Sequence, residues 1–250
     1  MKIKKILVSQ PQPAGDKSPY FDIAKKYGVE VVFRPFIKTE GLTAKEFRQQ
    51  KINLADHTAV IFTSRAAIDN YFRLAEEMRF KVPDTMRYFC TTEAIALYLQ
   101  KYIVYRKRKI SFGGTGKLND PQMLAALDKN KKEKFLFPVS DVHNEDTSLL
   151  EKHNLNVTKA VMFRTVSNDF QEGEDTDYDL FLFFSPSGIA SLKKNFPDFD
   201  QDKEGVCIGG FGPVTIKAIE DAGLRADIAA PNAEHRSMPD AVAAFLEKNK

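Results

Sequence analysis

The chain has 250 residues, 43% of them apolar, and its 37 Lys and Arg against 34 Asp and Glu leave a formal net charge of +3. That length holds one large domain or two of ordinary size, with enough apolar content for packed cores. The balanced charge excludes a strong field for nucleic acid or membrane surfaces, and no apolar run approaches the roughly 20 residues of a membrane helix.

In chain order, residues 6–9 read as a strand and 20–27 as a short helix closed by Gly28, a usual left-handed residue past a helix end. Residues 29–37 read as a strand interrupted by Pro35, hence an edge or a linker. A strand at 59–62 leads into a helix at 65–78, with Ile68, Tyr71, Phe72 and Ala75 on one face. Residues 88–90 are a strand and 93–101 a helix. Asp120-Pro121 is a cap followed by proline at the first helical position, opening a helix to about residue 128. A strand at 135–137, a helix at 145–152 and a long strand at 157–166 follow. Then come a strand at 181–184, a helix at 187–195, a strand at 206–208, a helix at 213–222 closed by Gly223, and a strand at 227–229. Ser237 caps a last helix, with Asp240 in its first turn. This alternation predicts an α/β fold, with parallel sheets covered by helices.

One segment occurs twice. Phe62-Thr63-Ser64-Arg65-Ala66-Ala67-Ile68 recurs 121 residues later as Phe183-Phe184-Ser185-Pro186-Ser187-Gly188-Ile189. Each copy follows an apolar run and opens a helical stretch. Such a strand end suits an anion, because the first helical N–H groups lack internal partners and the helix dipole adds positive charge. A weaker match sets Phe89-Cys90-Thr91-Thr92-Glu93 against Phe211-Gly212-Pro213-Val214-Thr215 at a spacing of 122. Near-constant spacing across two elements predicts two similar lobes facing one polyanionic ligand.

Other motifs fail on inspection. Gly113-Gly114-Thr115-Gly116-Lys117-Leu118 has Ser111 in place of the first glycine of a phosphate loop, and Leu118 in place of the magnesium-binding hydroxyl. Gly210-Phe211-Gly212 lacks the third glycine of a dinucleotide fingerprint. Asp175, Asp177 and Asp179 have calcium-loop spacing, but Leu180 and Pro186 stand where Gly and Glu are needed, so residues 171–179 read as a solvated loop at the second crossing between lobes. His57, His143, His153 and His235 show no metal-ligand spacing, so neither metal nor cofactor is expected. Cys90 and Cys207 read as buried free thiols of a reducing cytosol. After Met-Lys-Ile-Lys-Lys only Ile6-Leu7-Val8 is apolar, too short for a signal segment, so a cytoplasmic protein is expected. The stretch 101–109 interleaves aromatic and basic residues, as single-strand binders do, but reads rather as a helix end, where cations suit the dipole, running into a solvated loop.

Taken together, the motifs resemble the uroporphyrinogen-III synthase family along almost the whole chain. They are Val60-Ile61-Phe62-Thr63-Ser64, Leu136-Phe137-Pro138, Met162-Phe163-Arg164-Thr165, the run from Phe183 to Gly188, and Gly212-Pro213-Val214-Thr215. The resemblance implies two parallel-sheet α/β lobes joined by a two-strand β-ladder, with a substrate cleft between them. One lobe would comprise residues 1–36 and 167–250, the other 40–162, with linkers at about 29–39 and 157–167. It further implies a monomeric lyase that binds hydroxymethylbilane, a linear tetrapyrrole with eight carboxylates, and closes it with inversion of ring D and loss of water.

The carboxylate-binding residues so implied are Thr63, Ser64, Arg65, Thr92, Ser185, Ser187, Gly188, Phe211, Gly212 and Lys217, with Thr215 and position 163 as the catalytic pair. Each Ser or Thr serves equally well as a plain helix cap. Three departures from the family pattern stand out. Ser9-Gln10-Pro11 replaces a Thr-Arg-Pro. Cys90-Thr91-Thr92-Glu93 aligns with the Gly-x-x-Thr of the other lobe, leaving Thr92 one position away. Phe163 occupies the place of the family's tyrosine acid. These departures motivate an alternative, a two-lobed tetrapyrrole-binding or regulatory protein with impaired chemistry.

Overall fold

The structure, a computed structural model, describes residues 2–15, 17–142 and 148–249. In chain order the elements are β1 (Lys5–Val8), α1 (Pro19–Tyr27), β2 (Glu30–Phe33), β3 (Ile37–Gly41), α2 (Ala44–Arg48), β4 (Ala59–Phe62), α3 (Arg65–Glu77), β5 (Arg87–Cys90) and α4 (Glu93–Tyr98). They continue with β6 (Ile110–Phe112), α5 (Pro121–Lys129), β7 (Lys134–Ser140), α6 (Ser148–Lys152), β8 (Asn156–Ser167), β9 (Leu180–Phe183), α7 (Pro186–Asn195), α8 (Gln201–Glu204), β10 (Cys207–Phe211), α9 (Pro213–Asp221), β11 (Ile228–Ala230) and α10 (Met238–Lys248). The start of the helix expected at 145–152 lies outside the described residues.

The chain divides into two compact units, Met1–Lys38 with Val166–Lys250, and Thr39–Thr165. In the first, five parallel strands run in the order β11-β10-β9-β1-β2. The second sheet has the order β3-β8-β7-β4-β5-β6, and its β8-β7-β4-β5-β6 portion is parallel. Placing β9 on β4 and β10 on β5, as the sequence repeat demands, also places β11 on β6, β1 on β7 and β2 on β8. The two spatial orders then agree strand for strand. The first unit is a circularly permuted copy of the second, which is why it needs both halves of its sequence.

Both strand faces are covered, as parallel sheets require. Val60 and Phe62 of β4 enter one cluster with Tyr71, Leu74 and Leu136. Ala59 and Ile61 enter the opposite cluster with Phe89, Phe135 and Leu127. All four β4 residues are fully buried. The same period of two sends Leu180 and Leu182 to one side of β9 and Phe181 and Phe183 to the other. Pro138 sits inside β7, past the last residues that β4 and β7 pair, where its missing N–H is tolerated.

Three expectations are corrected. Residues 29–37 are not one ladder strand: β2 pairs with β1 inside the first sheet, and the neighbour of β8 is β3, beyond Pro35. A proline cannot continue a ladder, so the strand breaks there and restarts in the other sheet. The acidic loop 171–179 is not the second crossing, because the chain passes between units at Thr165/Val166. The loop is held within the first unit: Asp179 accepts from the Lys4 and Lys5 amides, Asp175 pairs with Lys5, and Glu174 pairs with Arg34 at 2.8 Å. Lastly, the second repeat match is shifted. Cys90 pairs with Phe62 and Gly210 with Phe183, so Cys90 corresponds to Gly210, and Thr92, rather than Cys90, corresponds to Gly212.

Candidate functional site

In parallel α/β sheets, ligands meet the carboxyl ends of the strands, where loops turn into helix N-termini. The sequence-predicted residues collect at such ends in each unit. In the second unit Phe62 hands over to Thr63 and Ser64, and Ser64 caps α3 by accepting from the Ala67 amide at 3.1 Å. One strand over, Thr92 caps α4 by accepting from the Ile95 amide at 3.3 Å. The β4–β5 register sets Thr92 level with Ser64. On the other side of β4, the β4–β7 register brings Ser140 to the same level, and a register shift places Phe163 opposite Ser140. Phe163 therefore stands at this edge, its carbonyl accepting from the Asp141 amide at 3.0 Å. Its ring, 8% exposed, belongs to the hydrophobic core and has no proton to donate.

Arg65, the first residue of α3, is exposed. Its guanidinium lies 5.2 Å over the Tyr98 ring, and it makes no ion pair among the described residues. The Tyr98 hydroxyl donates to Asp69 at 3.0 Å, so the ring beneath Arg65 is held in place. Arg164 is spent differently, paired with Glu40 at 2.6 Å and Glu46 at 2.8 Å, which raise its pKa further.

Two features of this edge were not read from the sequence. Thr91, just past the tip of β5, is fully buried, with no hydrogen-bond partner for its hydroxyl among the described residues. The glycine loop after β6 does bind an anion, but an internal one. Asp120, 4% exposed, caps α5 through the Gln122 and Met123 amides, and its second oxygen accepts from the Gly114 and Thr115 amides at 3.1 and 3.0 Å. These amide donors, Met123 foremost, pull its carboxyl down to about 2. A Cβ on Gly113 would come within 2.9 Å of the Asp120 carboxyl carbon, so the loop closes only around glycine.

In the first unit Ser185 caps α7, accepting from the Gly188 amide at 3.3 Å, with Pro186 at the first helical position and Ser187 half-buried behind it. The β9–β10 register places Gly212 level with Ser185. Gly212 has φ +88° and offers no side chain, so the α9 N-terminus is left without a side-chain cap. Phe211 before it packs against Phe184 with ring centroids 6.1 Å apart. Thr215 lies in the first turn of α9 but is 3% exposed. Lys217 is exposed and pairs with Asp221 at 3.0 Å, which offsets its charge. Thus Ser64, Thr92 and Ser185 act as caps in the same geometry that would bind an anion. A capping oxygen accepts one N–H and keeps its own proton to donate to a carboxylate.

Among the described residues no group of three or more His, Cys, Asp or Glu could hold a metal ion, and no helix is long and apolar enough to cross a membrane. Cys90 is fully buried, which pushes its thiol up to about 12, whereas Cys207 is only partly covered.

No curated protein matches the chain. Among solved structures, uroporphyrinogen-III synthetase from Helicobacter pylori aligns over 98% of this chain and 100% of its own, at 13% identity and a TM-score of 0.54. Uroporphyrinogen III synthase from Thermus thermophilus aligns over 99% and 100% at 14% identity, with a TM-score of 0.40. At 13% identity the first likeness speaks to the fold alone, and with a TM-score of 0.40 the second carries no argument. The family model described as Uroporphyrinogen-III synthase HemD, however, matches residues 19–240, nearly the whole chain. The chain belongs to the uroporphyrinogen-III synthase (HemD) family.

Proposed function

We propose that the protein is a uroporphyrinogen-III synthase that cyclises hydroxymethylbilane with inversion of ring D and loss of water. The observation that carries this reading is the family match across residues 19–240. The helix N-termini at Ser64, Thr92, Ser185 and Gly212 support it, since each unit presents amide donors suited to substrate carboxylates. Among the described residues, Arg65 adds a cation that makes no ion pair, and Gly212 an N-terminus with no side-chain cap.

In this mechanism ring A loses hydroxide to give an azafulvenium cation. The substituted α-carbon of ring D attacks it, and the spiro intermediate fragments and recloses with ring D turned over. Unassisted closure gives the unrotated isomer, so the protein's contribution is conformational. Holding two ends in a near-attack arrangement is worth up to roughly 7–11 kcal/mol in well-oriented systems. A general acid adds only about 10²–10⁴-fold, and hydroxide leaves an electron-rich pyrrole readily. Phe163 supplies no acid, so a bound water or a protonated substrate carboxyl delivers the proton instead.

The test mixes the pure protein with enzymatically generated hydroxymethylbilane and separates the isomers. The type III product is expected. Type I alone overturns the assignment. A second reading, a tetrapyrrole-binding protein without the inversion chemistry, is favoured by one observation, the phenyl ring at 163. It requires porphyrinogen binding together with type I product only.

A further inference from the structure

At the end of the second unit opposite its strand tips lies a hollow of about 440 Å³. It opens where β5 and β6 begin and α3 ends. Phe72, Phe80, Val82, Met86, Tyr102 and Ile103 make most of its apolar wall. The volume lies within the range of small-molecule sites, and the lining combines apolar side chains with four charged ones. Two side chains of the wall, Phe72 and Tyr102, stack ring on ring at 4.5 Å and 5°, a stack that a further flat ring would extend. Tyr102 is tied down by its hydroxyl, which donates to Asp69, so the wall does not fold inward to fill the space. Val104 at the mouth is 78% exposed, apolar surface left to water.

The charges at the mouth define the occupant further. Arg106 and Lys109 line it and make no ion pair among the described residues. Their chain neighbours Lys107 and Arg108, and Arg79 and Lys81 on either side of Phe80, are basic and exposed. Only Glu76 and Asp84 oppose them on the lining. The lining itself is balanced, two cations against two carboxylates, and the four flanking cations make the mouth basic, which attracts an anion.

We propose that this hollow binds a small organic monocarboxylate with a flat apolar body, ring against the Phe72–Tyr102 wall and carboxylate at Arg106 and Lys109. The site is separate from the strand tips and independent of the synthase reading. The chain contains no tryptophan, so an indole probe can be followed by its own fluorescence without background. The experiment titrates the full chain into indole-3-acetate, with tryptamine and indole in parallel. Saturable one-to-one binding of indole-3-acetate is expected, at least about tenfold tighter than tryptamine. The double variant Arg106→Gln/Lys109→Gln should lose about tenfold in affinity and weaken its salt dependence. Ser64→Ala and Ser185→Ala should leave probe binding unchanged. The proposal is overturned by no saturable signal up to about 5 mM. It is equally overturned by equal affinity for tryptamine, by an unaffected double variant, or by competition from a porphyrinogen, which would place the probe at the strand tips.

Discussion

Phe163 holds a position where its backbone is pinned to Asp141 and its ring is packed in the core of the second unit. Adding a hydroxyl there tests acid chemistry and packing at once. A buried hydroxyl without a partner costs about 1–3 kcal/mol. Phe163→Tyr is therefore expected to lower stability by that amount in urea unfolding, while the type III fraction stays as in the parent, because ring choice is set by conformation. A large rise in turnover would show that the missing hydroxyl limits the rate. The thiols differ for a related reason. Cys90 is buried and its thiolate is disfavoured, so a thiol reagent should modify Cys207 first and reach Cys90 only on unfolding. Thr215, placed by the family resemblance in the catalytic pair, is 3% exposed. Side-chain exposure at the start of a helix depends on what packs over it, and spacing alone does not carry that.

Helix caps pose the element-scale question, because the hydroxyl that caps is the hydroxyl that would bind. Ser185→Ala should cost about 1 kcal/mol of stability as a lost cap. Ser237→Ala, which removes the cap of α10 at Asp240, should cost a similar amount. Ser237 is outside the proposed site. The two variants should match in urea unfolding and part in kinetics, with KM for hydroxymethylbilane rising only for Ser185→Ala. Matching kinetics would reduce Ser185 to a cap. The glycine loop is the clearest case of a motif explained from within: its amides already hold the Asp120 carboxylate. That carboxyl and Glu46, which accepts from the Thr43 amide, are both held near 2. Their folded values lie below the unfolded ones, so their stabilisation is complete above about pH 4.5 and is lost as pH falls toward about 2. Asp120→Asn should flatten the pH dependence of stability in that window, as read by urea midpoints, without changing its slope near neutrality. Several elements escaped the sequence. β6 is three residues long behind a basic stretch, and α2 and α8 span about one turn each. Segments so short show no period to read.

For the whole molecule, the matching strand orders mean that the second unit is a continuous copy and the first a permuted one. Thr39–Thr165 has its own two-sided core, in which β4 is buried on both faces. A fragment of residues 37–167, which keeps β3 beside β8, is expected to unfold cooperatively in urea by circular dichroism. A broad, non-cooperative transition would show that the division is geometric only.

Residues near one another in the chain decided the hydroxyl-tipped strands, the caps at Ser64, Ser185 and Ser237, the left-handed Gly28 and the period-two burial of β4 and β9. These rest on backbone dihedrals and hydrogen bonds spanning three or four residues, so one sequence displays them. Tertiary structure alone decided which sheet receives the strand after Pro35, that Thr92 answers to Gly212, and that the glycine loop already holds a carboxylate. Pairing between strands is set by packing of residues far apart in the chain, and a shift of two residues keeps every side chain on its own face, so hydrophobic pattern cannot tell the two registers apart.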